Sequence, residues 1–222
     1  MSAPSSTPQP GRRALIAGAT GLVGQCLLQG LVADPSVARV VAIGRRPPAL
    51  SHPKLEFIPV DFARLPPLPP VDEAYLALGT TIKAAGSQAA FRALDRDANL
   101  AVAQAAQAAG ATRLGLVSAM GADPRASIFY SRTKGELEQA LQAMGWHRLV
   151  IARPSMLAGD REALGQPVRG GEQLAARVTR WLRPLIPANY RAIPARLVAA
   201  ALLAAVPGSQ GLRILLSGEM QG

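Results

Sequence analysis

The sequence predicts a doubly wound α/β fold built on a parallel sheet, with a small irregular region on its substrate side. Three observations predict it. Short apolar runs alternate with segments of helical spacing along most of the 222 residues, the order expected of βαβ units. The runs are continuously apolar, which marks strands covered on both faces. The first run ends in a glycine-rich turn that opens a helix.

The elements follow in order. Residues 12–18 are strand one, and 22–33 carry the apolar spacing of a helix. Residues 39–44 are strand two. Strand three, 55–60, follows the breakers Pro47, Pro48 and Pro53. The proline-rich stretch 66–70 is a loop and 73–78 are strand four. Residues 89–109 are alanine-rich without breakers, so one long helix is expected there, stopped at Gly110. Within it Asp95, Arg96 and Asp97 read as surface ion pairs and Asn99 as structural. Strand five is 113–118, a helix over 131–144 stops at Gly145, and strand six is 147–152. Helices over 172–183 and 195–206 and a strand over 212–217 complete the chain. Segment 155–195 breaks the pattern with many prolines and glycines and is a candidate lid. The expected organisation is a disordered tail over 1–11 and a single domain over 12–222.

Composition narrows the function classes. Hydrophobic residues make up 49% of the chain and charged residues 17%, enough for a core and too apolar for disorder. The net charge is +10, but the basic residues are scattered, with Lys only at 54, 83 and 134 and few aromatics among them. Nucleic-acid binders concentrate charge on one element, so no nucleic-acid partner is expected; a diffuse basic surface attracts anionic ligands. One cysteine, Cys26, and two distant histidines, His52 and His147, exclude a disulfide framework and a recognisable metal site. The N-terminus lacks the pattern of a signal peptide, and the longest apolar run, 197–206, is too short to span a bilayer. A cytoplasmic location is expected by default. Arg177, Arg180 and Arg183 around Trp181 read as an ordinary helix with its apolar face on the sheet, in preference to a membrane-surface helix.

The turn after strand one reads Gly18-Ala-Thr20-Gly21-Leu22-Val23-Gly24. Glycines at this spacing allow a tight turn, a close backbone approach to a pyrophosphate, and tight helix-on-strand packing. The helix N-terminus then meets the phosphate charge with free N–H groups. Placed between a strand and a helix, this is the dinucleotide loop of a Rossmann fold. Strand two ends in Gly44-Arg45-Arg46, and no Asp or Glu occurs in 39–50. An acidic residue there would bond the ribose hydroxyls of NAD(H), whereas an arginine neutralises a 2′-phosphate, so NADP(H) is favoured over NAD(H). Arg45 is the stronger candidate. Asp61-Phe62 stands at the adenine corner, and Gly79 closes strand four where a side chain would meet the ribose.

With these residues the chain resembles the short-chain dehydrogenase/reductase superfamily in its atypical or extended form. It is most similar to the branch of the Tat-interacting-protein oxidoreductases. The strings that carry this are the glycine loop, Leu78-Gly79-Thr80-Thr81, Asp95-Arg96-Asp97, Ser118-Ala-Met-Gly121-Ala-Asp123, Tyr130-Ser-Arg-Thr-Lys134-Gly-Glu136 and Arg153-Pro154-Ser-Met-Leu-Ala-Gly159-Asp160-Arg161. The resemblance implies a catalytic trio of Ser118, Tyr130 and Lys134. Tyr and Lys four apart share one helix face. Lys134 would bond the nicotinamide ribose and favour the phenolate, Ser118 would bond a substrate carbonyl, and Tyr130 would supply the proton. Pro154 would position the carboxamide side of the nicotinamide, and Thr80 lies in the cofactor-facing string. The implied activity is an NADP(H)-dependent reductase, epimerase or dehydratase acting on a small molecule, in a chain able to form a homodimer. A non-catalytic NADP(H)-binding regulatory or protein-interaction module is the alternative.

Overall fold

The structure is a computed structural model that describes residues 11–158, 189, 191–208 and 210–222. Its elements are β1 (Arg12–Ala17), α1 (Leu22–Ala33), β2 (Val37–Gly44), β3 (Leu55–Pro59), β4 (Glu73–Leu76), α2 (Ile82–Ala85) and α3 (Gln88–Arg92). After these come α4 (Asn99–Ala108), β5 (Arg113–Val117), α5 (Phe129–Ala143), β6 (Arg148–Arg153), β7 (Leu157–Ala158), β8 (Ile193–Pro194), α6 (Ala195–Ala205) and β9 (Gly211–Leu216). Seven strands form one sheet in the order β3-β2-β1-β4-β5-β6-β9, and every pair in it is parallel. This is the expected Rossmann-like α/β fold, with strand and helix ends within two residues of those read from the sequence. The tail over 1–10, the helix over 172–183 with its arginines and Trp181, and most of the candidate lid lie outside the described residues.

Each face of the sheet is covered. On one side Val23, Leu27, Leu28 and Leu31 of α1 share a buried layer with Val198, Ala199 and Leu202 of α6 and with Ile16, Val40 and Val150 of the strands. On the other, Val102, Ala103 and Ala106 of α4 and Leu137 and Leu141 of α5 pack on Leu15, Val41, Leu76 and Leu116. Alternate strand residues feed opposite layers, so a continuously apolar strand is satisfied on both faces. Because β1 lies between β2 and β4, the crossovers on its two sides run in opposite directions. That leaves a crevice above the carboxyl ends of β1 and β4, the place where ligands bind in open α/β sheets. No helix among the described residues is long and apolar enough to cross a membrane.

The long helix expected over 89–109 is α3 and α4 joined by a π-turn, Ala93–Ala98. The extra residue of a π-turn shifts the side-chain phase. It buries Asp95 and Asn99 completely, which corrects the reading of Asp95 as a surface ion pair. Arg96 and Asp97 do pair at the surface. Gly110 ends the helix at φ +100°.

A second polar group is buried at the opposite end of the sheet. Glu73 of β4 is fully buried and accepts from Arg12 and, at 3.1 Å, from the Tyr75 phenol. Burial pushes that phenol well above its usual range, with the Glu73 charge adding to the effect. Arg12 also reaches Asp34 at the end of α1, at 2.7 Å. Asp34 is held below the ordinary carboxylate range, first by the Ser36 hydroxyl and then, against its own desolvation, by the Ser36 N–H and Arg12. A depressed folded value stabilises the fold above the unfolded value, near 3.8, and that contribution is lost as pH falls through the folded value. Asp34→Asn is therefore expected to lower the unfolding free energy at pH 7, read from urea titration, by at most about 1 kcal/mol, this being a partly exposed pair. The gap between variant and wild type should narrow by pH 3; an equal gap at both pH values would reject the assignment.

Candidate functional site

The glycine turn sits at the crevice. Gly18 has φ +91°, and a Cβ there would lie 2.4 Å from the Ala77 carbonyl oxygen of the strand-four side. At Gly24, in the first turns of α1, a Cβ would fall 1.9 Å from the Gly18 carbonyl oxygen. Both positions therefore exclude a side chain, and together they press α1 onto the end of β1. At Gly21 the nearest atom to an added Cβ is the Gly18 carbonyl oxygen, 3.5 Å away, so that position would take a methyl in ordinary van der Waals contact. Gly21 caps α1 without a side-chain bond, and no acidic residue occupies the first turn. The positive end of the helix dipole is thus uncompensated by the side chains of its own cap and first turn. Val23 is buried in the core beneath the turn, while Thr20 and Leu22 are exposed on it.

A cavity of about 260 Å³ rests on this turn, lined among others by Gly18, Gly21, Arg45, Arg46, Phe62 and Gly79. Arg45 and Arg46 are exposed at its rim, and among the described residues neither forms an ion pair. A larger cavity of about 690 Å³ adjoins it, shares Arg45 and Phe62, and adds Asp61 and Thr80. The Asp61 carboxylate accepts from the Ala63 N–H at 3.0 Å. The structure thus brings together at one crevice the glycine turn, the arginine pair, Asp61-Phe62 and Gly79-Thr80.

The side of the crevice toward β4 and α5 is built from buried charges. Lys134 of α5 forms an ion pair of 2.6 Å with Asp95 of the π-turn, the two side chains being 6% and 1% exposed. The other Asp95 oxygen accepts from the Thr80 N–H at 2.8 Å. Burial pushes the Asp95 carboxyl above the usual carboxylate range, against the pull of Lys134 and of the Thr80 N–H. A Cβ on Gly79 would lie 3.5 Å from Asp95 and 3.9 Å from the Lys134 ammonium, so Lys134 ends beside the tip of β4. The Asn99 side-chain amide donates to the Leu78, Leu94 and Asp95 carbonyls and holds the π-turn to the same tip. Tyr130 lies one turn before Lys134, with its ring 5.5 Å from that of Phe91.

Ser118 is 5% exposed, and its hydroxyl donates to Glu138. Glu138, also buried, is gripped by Arg153 of β6, whose Nε lies 3.1 Å from one carboxylate oxygen and whose terminal nitrogen bonds the other. Glu138 holds the Arg153 guanidinium above its usual range. This triangle ties β5, α5 and β6 together. Pro154 is buried, and its carbonyl accepts from the Met120 N–H at 2.8 Å, joining the loops after β5 and β6. Sequence reasoning passed over Glu138, Arg153 and the true place of Asp95. The available signal for Glu138 was its spacing, one further turn along the face that carries Tyr130 and Lys134. Gly135 was passed over too: a Cβ there would come within 2.2 Å of the Asp123-Pro124 backbone, so α5 sits directly on the loop after β5.

The family model described as NAD(P)H-binding matches residues 18–181. The chain belongs to this family. A protein named "Protein fmp52, mitochondrial" from Emericella nidulans is 41% identical over 155 residues, 65% of this chain and 66% of its own length. "Protein FMP52, mitochondrial" from Coccidioides immitis is 37% identical over 163 residues, with 66% of each chain covered. The chain thus matches just under two thirds of the length of these relatives. Their names overturn the expectation of a cytoplasmic location, which rested only on the lack of a leader pattern.

Among solved structures, a short chain dehydrogenase family protein from Francisella tularensis has a TM-score of 0.68 at 13% identity, covering 96% of this chain and all of that one. MoeE5 in complex with UDP-glucose and NAD has a TM-score of 0.67 at 19% identity, over 91% and 75%. A short chain dehydrogenase from Burkholderia cenocepacia in complex with NADP gives 0.64 at 14% identity, over 95% and 90%. These likenesses show the fold of the short-chain dehydrogenase/reductase superfamily. Since that fold carries NAD in one neighbour and NADP in another, it does not choose between the two cofactors.

Two of the three glycines make separable predictions. Gly24→Ala forces α1 away from β1 and should both lower the melting temperature and abolish dinucleotide binding. Gly21→Ala adds a methyl without a clash, so it should leave the melting temperature within about 2 °C, as surface changes do, while weakening binding. Thermal melts paired with calorimetric titration check this. Equal loss of stability in both variants would refute the packing role given to Gly24.

Proposed function

We propose that this chain is an NADP(H)-dependent oxidoreductase of the carbonyl reductase or epimerase/dehydratase kind, acting on an unidentified small molecule through Tyr130, Lys134 and Ser118. The observation that carries the reading is the crevice itself. A side-chain-free turn, an uncompensated helix N-terminus and the Arg45-Arg46 rim face one cavity. The Lys134 ammonium stands at the neighbouring strand end. A pyrophosphate fits the turn because the N–H groups there have no competing side chain. The arginine rim supports a 2′-phosphate, and the lack of acid over 39–50 argues against bonding of free ribose hydroxyls.

In this reading bound NADPH supplies the reducing equivalent. Tyr130 holds the proton destined for the substrate oxygen. Lys134 has three donors; one goes to Asp95, which leaves two for the ribose hydroxyls. Exposed apolar side chains in the segments after β5 and β6, Met120, Ile128 and Met156, favour a substrate with an apolar part.

A non-catalytic NADP(H)-binding module is the second reading. It is favoured by the Ser118 hydroxyl, which is buried and already donates to Glu138. One measurement tests the cofactor that both readings share, and a second separates the readings. In calorimetric titration NADPH should bind at least about tenfold more tightly than NADH, and Arg45→Ala should remove about 1.5–3 kcal/mol of NADPH binding, the worth of a hydrogen bond to a charged group. Tyr130→Phe should lower carbonyl reduction by about 10²–10⁴-fold, the worth of a general acid, with NADPH affinity unchanged. Turnover that survives in Tyr130→Phe would show that the proton comes from another group.

A further inference from the structure

The two edges of the sheet are finished differently. β3 carries Glu56, which pairs with Arg39 of β2, and ends in Pro59. Charges and prolines are what keep an edge from pairing further. β9 reads Gly211-Leu-Arg-Ile-Leu-Leu216 and has no proline. Among the described residues it pairs with β6 alone. The Gly211 N–H donates to the His147 carbonyl at 2.8 Å, on the β6 side. Ladder parity therefore turns the main-chain groups of Gly211, Arg213 and Leu215 to β6 and those of Leu212, Ile214 and Leu216 outward. The Leu216 N–H agrees with this, since it donates to the Glu219 carboxylate at 2.7 Å.

The side chains follow the same alternation. Leu215 is buried in the layer under α1 and α6. Leu212, Ile214 and Leu216 lie on the opposite face. There Ile214 packs at the margin of the layer under α4 and α5, while Leu212 and Leu216 are 51% and 40% exposed. The stripe Leu-x-Ile-x-Leu reads the same in both directions. Two such strands set antiparallel about a two-fold axis at Ile214 place Ile214 on Ile214 and Leu212 on Leu216 of the other copy. That is the self-complementarity of an isologous interface. The charges fit it as well. Arg213 and Glu219 are exposed, and among the described residues neither forms an ion pair. In this pairing Arg213 stands beside Leu215 of the other copy, one residue from the N–H that Glu219 caps. Each edge thus offers its cation to the other's anion, and no two like charges are directly opposed.

We propose that the β9 edge is where two copies of this chain join, antiparallel, into one sheet continuous across a two-fold axis. Leu212, Ile214 and Leu216 form its apolar centre, the outward main-chain groups of Leu212 and Ile214 supply its hydrogen bonds, and Arg213 with Glu219 of the other copy flanks it at both ends. The inference is independent of the oxidoreductase reading. It leaves the crevice above β1 and β4 open, because β5 and β6 stand between β4 and β9.

Sedimentation velocity of the full chain tests this. Wild type should sediment as a dimer that dissociates on dilution. Leu212→Glu sets a charge at both ends of the stripe by symmetry, and should give a monomer with an unchanged circular dichroism spectrum. If Leu212→Glu does not fold, two charge variants at exposed positions carry the test. Arg213→Glu leaves only acids at the edge, and Glu219→Lys leaves only bases. Each alone should raise the dissociation constant at least about tenfold, because paired charges become like charges. An equimolar mixture of the two should dimerise about as well as wild type, since opposite charges then meet across the axis. A monomeric wild type, a dimer that survives Leu212→Glu, or a mixture as weak as its two components overturns the proposal.

Discussion

The site depends on one contact between backbones. The space for a Cβ on Gly24 is filled by the Gly18 carbonyl, 1.9 Å from where that carbon would be, and Gly18 itself turns at φ +91° against Ala77. This contact sets the height of α1 above the sheet. It brings the first-turn N–H groups to the crevice between β1 and β4, and it opens the cavity that Arg45 and Arg46 overlook. A longer side chain at either glycine would lift the helix and draw those N–H groups away from the crevice. The family match begins at residue 18, the first glycine of this contact.

The rest of the site is held by buried polar groups, not by apolar packing. Asp95 with Lys134, and Ser118 with Glu138 and Arg153, are two networks that share α5. One reaches the tip of β4 and the other the ends of β5 and β6. Burying such charges costs desolvation, which attraction and hydrogen bonds offset only when the geometry is satisfied throughout. Their effect is to fix the register of one helix against three strand ends, and so the direction in which Tyr130 and Lys134 are presented. The close seat of Gly135 on the Asp123-Pro124 backbone removes the remaining freedom of that helix.

Much of this was legible in the residues. The parallel sheet followed from strands such as Leu15-Ile16 and Val40-Val41, which are apolar on both faces and are buried on both. The tight turn into α1 followed from glycine spacing, because only glycine meets the steric demand at Gly18 and Gly24. What could not be read has a common physical origin. Asp95 looks like a surface charge in a helical pattern, and its burial depends on helix phase. A π-turn rotates that phase at Ala93–Ala98 without leaving a mark in composition. Arg153 and Glu138 are 15 residues apart and meet only through the packing of α5 on β6. The short helix α2 was missed because four residues, Ile82–Ala85, give too little periodicity, although Thr81 caps it.

The account turns on a dinucleotide lying along the Gly18–Gly24 turn with its adenosine end at the arginine rim. Amide hydrogen exchange of the full chain with and without NADPH tests this directly. The account predicts slowed exchange at residues 18–24, 44–46 and 79–80, and no change at the Arg12–Glu73 end of the sheet. Unchanged exchange at 18–24 in the presence of saturating NADPH would contradict it.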